Sequence, residues 1–111
     1  MKKNGLAAIL FLMIFGVVGV TGMNSMEAAE KTGEQLFNEH CSMCHPEGGN
    51  IINPKKTLQK KDREANNIKT ADDAIRIMRK PGPGMTAFDK NSLSDKDARK
   101  IADYLFKKFT K

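Results

Sequence analysis

The sequence predicts a small all-α domain, and three observations predict it. Apolar residues recur at helical spacing behind recognisable capping residues, and the strand signal of alternating β-branched residues is absent. The third observation is the only cysteine pair, in Cys41-Ser42-Met43-Cys44-His45. C-x-x-C-H is the pattern by which a chain attaches a c-type haem. Cys41 and Cys44, three apart on one turn, both reach the vinyl groups of one porphyrin, which leaves His45 to bring an imidazole nitrogen to the iron. The expectation is three to four helices around one covalently attached haem. Zinc would have to draw four ligands from His40, Cys41, Cys44 and His45, all within six residues, with no second cluster to close a tetrahedron. A redox dithiol would want a strand before the motif and a βαβ pattern around it, and neither is visible.

In chain order the leader comes first. Lys2 and Lys3 precede a 15-residue apolar run, Leu6 to Val20, as in a secretory signal or an uncleaved anchor. Val20-Thr21-Gly22 offers tolerated residues for cleavage, whereas a cut after Ala29 would put Glu27 where a small residue is preferred. Asn4 to Met26 carries no charge for 23 residues, long enough to span a bilayer. Residues 1–29 are therefore read as a signal peptide or N-terminal membrane anchor, and residues 30–111 as the haem domain. The leader holds no cysteine to be acylated. Either way the chain is expected to be exported, to a bacterial periplasm, soluble or membrane-anchored.

The 82 residues that follow make one small domain, whose modest core an attached apolar disc would complete. They hold 17 cationic against 12 acidic residues, a balance of +5 within the chain's +6. A basic balance suits nucleic acid, anionic lipid or an acidic protein, and export argues against nucleic acid. Thr32-Gly33-Glu34-Gln35 reads as a capping box, opening a helix that turns Leu36 and Phe37 inward and runs into the haem motif. Pro46-Glu47-Gly48-Gly49-Asn50 cannot continue it. Residues 57–65 predict a short polar helix ended by Asn66-Asn67. Its neighbourhood gathers Lys55, Lys56, Lys60, Lys61 and Arg63, read as a solvated face or as a docking patch for an acidic partner. Thr70 caps the next helix, where Ala71, Ala74, Ile75 and Met78 form one stripe before Pro81 stops it. Ser94 caps the last, with Ala98, Ile101, Ala102, Leu105 and Phe109 on one face and Lys107, Lys108 and Lys111 at the favourable end of its dipole.

Haem iron has six positions, so beyond the porphyrin and His45 one remains. Met85 is the candidate. It follows the stiff Pro81-Gly82-Pro83-Gly84 loop and lies 40 residues beyond His45, far enough to come round to the opposite side. Met43 lies inside the attachment turn, Met78 falls on a helical stripe and reads as core, and His40 reads as a surface histidine or as a titratable group near the haem edge.

With these residues in hand, the chain resembles the class I cytochromes c, and most of all the cytochrome c6 family. Gly33, Leu36-Phe37 and Cys41-Ser42-Met43-Cys44-His45 are similar to that family's first helix and attachment site. Gly48-Gly49-Asn50-Ile51-Ile52-Asn53-Pro54-Lys55-Lys56-Thr57-Leu58 resembles a stretch distinctive of it. Met85-Thr86-Ala87-Phe88 resembles its ligand-bearing Met-Pro-Ala-Phe, and Ala102-Asp103-Tyr104-Leu105 its last helix. The resemblance implies one haem c, His45 and Met85 as axial iron ligands, Asn50 and Lys56 near a haem propionate, and Gly33 and Phe37 packed against Tyr104. Three residues depart from the pattern: Thr86 in place of proline, Pro81 in place of glycine, and Arg79 where many c6 proteins carry a glutamine near the haem.

Three functions stay open at this point. The chain is an electron carrier outside the cytoplasm with redox protein partners, a membrane-tethered electron-transfer subunit of a larger redox complex, or a haem sensor or enzyme with a labile sixth ligand. The expectation favours the carrier, which is not an enzyme.

Overall fold

The computed structural model describes residues 29–111 together with Gly16. The remainder of the leader, read above as signal or anchor, lies outside the described residues. Among the described residues no helix is long and apolar enough to cross a membrane. These residues form four helices and no strand: α1 over Gly33–His40, α2 over Lys60–Ala65, α3 over Ala71–Arg79 and α4 over Asp95–Lys108. A single 3₁₀ turn, Pro46–Gly48, follows the haem motif.

Local signals explain most of the boundaries. The Thr32 hydroxyl accepts the Gln35 N–H at 3.2 Å while Gln35 Oε1 accepts the Thr32 N–H at 2.9 Å, so α1 starts with a reciprocal cap. Thr70 and Asp73 repeat the device on α3, and Ser94 caps α4. Helix α1 stops earlier than expected, at His40. Cys41 and Ser42 both turn their N–H groups to Phe37 O, and the Ser42 hydroxyl donates to Asn38 O at 2.7 Å, which closes the helix before the motif begins. Helix α2 begins at Lys60 instead of residue 57. The Leu58 N–H donates across the chain to Gly48 O at 2.7 Å, and the Thr57 hydroxyl is engaged by Asp62, so this stretch is held extended.

Helices α1 and α3 both pack on α4. The five stripe residues of α4, Ala98, Ile101, Ala102, Leu105 and Phe109, are all buried, joined by Leu36, Phe37, Ala74, Met78 and Leu93. Where α1 crosses α4 the backbones nearly touch: a Cβ at Gly33 would collide with the Lys100 carbonyl oxygen and lie 2.9 Å from Tyr104 Cβ. The Phe37 ring meets Tyr104 at 5.5 Å and Phe109 at 5.6 Å. Among the described residues this core of ten apolar side chains is small, and three of the ten are alanines. That leaves stabilisation to something else within the fold.

One surface expectation fails. Arg63 is not on a solvated face but is buried at 4% exposure, with Nη1 donating to Leu58 O and to Phe109 O, the latter at 2.7 Å. Its guanidinium lies 4.2 Å over the Phe106 ring. Lys55, Lys56, Lys60 and Lys61 do remain exposed.

Candidate functional site

A cavity of about 540 Å³ opens between the helical scaffold and the long segment joining α1 to α3. Its size falls within the range of cofactor pockets. Part of its lining is apolar, with Phe37, Ala74, Ile77, Met78 and Leu105, and part is polar, with Asn50, Asn53, Lys56 and Asn66. An apolar disc with carboxylates at one edge fits such a lining. Cys41, Cys44, His45, Asn50, Lys56 and Met85, the site residues expected from the sequence, all line this one cavity.

The attachment turn is built by short-range bonds. Cys44 N–H and His45 N–H both donate to Cys41 O, at 3.2 and 2.9 Å, so residues 41–45 form one helical turn offset from α1. His45 Nδ1 lies 2.7 Å from Gly49 O, a contact that a protonated Nδ1 satisfies. That tautomer leaves Nε2 with its lone pair available to a metal. Cys41 is half-buried and Cys44 exposed. Burial, reinforced by the neighbouring Cys44, pushes the Cys41 thiol up to about 11. A catalytic dithiol needs the opposite, a thiolate stabilised at a helix N-terminus, whereas Cys41 sits at the C-cap of α1. Among the described residues no group of three or more His, Cys, Asp or Glu side chains is placed to cage a metal ion.

Met85, which lines the same cavity, is half-buried and follows Gly84 at φ +89°, a conformation that L side chains rarely adopt. Its N–H reaches Gly82 O only at 3.5 Å. Asn50 uses its amide on its own loop, Oδ1 accepting from Ile52 and Asn53 N–H at 2.9 Å and Nδ2 donating to Lys56 O at 2.9 Å. It shapes the polar wall as well as lining it.

Three placements differ from, or refine, the sequence reading. Arg79 does not line the cavity, donating instead to Phe88 O at 3.0 Å, Leu93 O at 2.7 Å and Asp95 Oδ1 at 2.7 Å, while Ala74, Ile77 and Met78 are the α3 residues that line it. Ile77 lies three residues beyond Ala74, a helical spacing that could have marked it. His40 is half-buried, lines the cavity and meets Phe88 edge-on at 5.9 Å, which favours the haem-edge reading over the surface one. Arg63 also lines the cavity, and no local pattern announces it.

Comparison with known proteins agrees with this geometry. The family model described as cytochrome c oxidase, cbb3-type, subunit III matches residues 28–105. Cytochrome c6 of Cyanidium caldarium is 38% identical over 79 residues, 71% of each chain. Cytochrome c6 of Pyropia yezoensis is 33% identical over 105 residues, 95% of this chain and 93% of its own. Among solved structures, OmcF, the outer membrane cytochrome F of Geobacter sulfurreducens, superposes with a TM-score of 0.68 at 47% identity, covering 69% of this chain and 98% of that one. A Synechococcus cytochrome c6C gives 0.66 at 25% identity, covering 71% and 95%.

Proposed function

Because the chain belongs to the class I c-type cytochromes, monohaem electron carriers and not enzymes, we propose that it works outside the cytoplasm with His45 and Met85 as the axial iron ligands. Cys41 and Cys44 form the thioethers to its one haem c, and Asn50 and Lys56 lie near a propionate. When bound, that haem supplies a one-electron couple. The observation that carries the reading is that His45, with Nδ1 directed to Gly49 O, and Met85 line the same cavity as both cysteines.

The chain's own residues do the rest. The Gly49 carbonyl orients the imidazole and raises its basicity toward the metal. The Met85 thioether favours the ferrous state and leaves no open position for a substrate. Phe37, Ile77, Met78 and Leu105 keep water from part of the cavity, so little solvent has to reorganise when the charge changes. Partners are redox proteins, and the exposed Lys55, Lys56, Lys60 and Lys61 would steer an acidic one. Export is supported by the basic, then apolar, leader and by the likeness to an outer membrane cytochrome. A second reading, a tethered subunit of a larger redox complex, draws on the oxidase-subunit family model and the uncharged stretch Asn4 to Met26.

The test is the absorption spectrum of the purified protein with and without carbon monoxide, together with its intact mass. One covalent haem, a weak far-red iron–methionine band and no carbon monoxide adduct are expected. A ready adduct would move the sensor reading to the front, and an intact leader in the mass would favour the tethered subunit.

A further inference from the structure

Arg63 is a puzzle within this fold. It sits at 4% exposure, yet among the described residues it forms no ion pair with a carboxylate. Its Nη1 clasps Leu58 O and Phe109 O, which ties the extended stretch before α2 to the end of α4. Its Nε is buried with no hydrogen-bond partner. Asp62, the neighbouring acid that also lines the cavity, is engaged by the Thr57 hydroxyl instead.

A clasp on two carbonyls needs only a neutral donor. Holding a cation in that place costs desolvation that the carbonyls and the Phe106 face only partly offset. Arginine does not escape by losing its proton, because its pKa is too high. The cost is offset if an anion arrives that the protein itself does not contain. Arg63 lines the same cavity as Asn50, Lys56 and Asn66, polar groups suited to the carboxylates of an amphipathic disc.

We propose that Arg63 is a positioning residue for the haem of this chain, a buried fixed cation in the cavity lining that balances the propionate charge and raises the reduction potential. A positive charge close to the iron disfavours the more positive ferric state, and the low dielectric of a buried site lengthens the reach of that effect. The inference rests on the family's haem and not on the identity of the sixth ligand, so its failure would leave Met85 untouched.

The test compares Arg63→Gln and Arg63→Lys as purified haem-loaded proteins at pH 6, by midpoint potential and by thermal melting. Neither replacement side chain reaches as far as Nη1, so both variants lose the clasp on the two carbonyls and should melt at least about 5 °C lower. Only the neutral one should change the iron: Arg63→Gln shifts the ferrous-to-ferric ratio about tenfold toward ferric, about 59 mV for one electron, while Arg63→Lys stays near the wild type. Equal potentials in the two variants would reduce Arg63 to a clasp and overturn the proposal. If Arg63→Gln fails to hold haem, the wild type decides by nitrogen-15 resonance of the guanidinium. An Arg63 Nε–H signal slow to exchange and displaced between ferrous and ferric protein supports the assignment. One that ignores the oxidation state overturns it.

Discussion

The two segments that bring the proposed iron ligands to the cavity are held in very different ways. On the His45 side, Cys41 O accepts two N–H groups, His45 Nδ1 meets Gly49 O at 2.7 Å, and the Ile51 N–H donates to Cys44 O at 3.0 Å. The imidazole is fixed through Nδ1, and its turn through three backbone bonds. On the Met85 side, the nearest backbone bond is the long one to Gly82 O, and the next tether is Phe88 N–H to Met78 O at 2.9 Å, three residues later. Arg79 then binds Phe88 O and Leu93 O from outside the cavity. The difference teaches which ligand can be lost. Local opening follows the density of bonds and packing, so the methionine side should open while the histidine side and the helices stay intact.

The largest effect should come from breaking the histidine side at its covalent root. Replacing Cys41 and Cys44 by Ala removes the attachment, and the helices are left around a cavity of about 540 Å³ that nothing in the chain fills. A domain of this size with so large a gap in it is not expected to stay folded. Circular dichroism of the double variant should show little cooperative melting. A folded, haem-free double variant would mean that the helices carry the fold by themselves, and the contrast between the two sides would lose its basis.

Next comes Met85. Met85→Ala should shift the ferrous-to-ferric ratio at least about tenfold toward ferric, about 59 mV for one electron, erase the far-red band and admit carbon monoxide. Met78 is the control. It also lines the cavity but belongs to the α3 core stripe at 4% exposure, so Met78→Leu should cost less than about 1.5 kcal/mol in thermal unfolding and leave the spectrum alone. Reversal of the two outcomes would transfer the ligand role to Met78 and the looser segment would no longer bear on the iron.

What was legible in the sequence follows the same division. The scaffold could be read because its rules are local: Thr32 with Gln35, Thr70 with Asp73 and the Ala98 to Phe109 stripe all act within a few residues. The residues of the site could be named from the Cys41 to His45 motif and the family's Met-containing stretch. Long-range bonds could not. Arg63 reaches Phe109 O, 46 residues away, and Leu58 N–H reaches Gly48 O, so a polar-looking helix acquires a buried cation and a later start. The placement of Arg79 could not be read either, because its acceptors, Phe88 O and Leu93 O, lie beyond the Gly-Pro loop.

The smallest predicted effect is an acid one, and it sharpens the contrast without a substitution. The segment after Met85 is fastened by carboxylates: Ser92 and Asn91 N–H groups hold Asp89, and the Arg79 guanidinium followed by Lys90 holds Asp95. Each carboxyl therefore lies below the ordinary aspartate value. A depressed acid stabilises the fold above its unfolded value and ceases to do so as pH falls through its folded one, so these fastenings weaken below about pH 4 and not above it. The bonds around His45 in the attachment turn involve no carboxylate. Acidification from pH 5 to pH 2.5 should then fade the far-red iron–methionine band before the helical circular dichroism changes. Both aspartates are exposed, so the separation should be modest and should shrink in high salt. In Asp95→Asn, which lacks the ion pair to Arg79 at every pH, the band should fade at a higher pH than in the wild type. Loss of band and helix together in both proteins would mean that the methionine side is no softer than the scaffold it leans on.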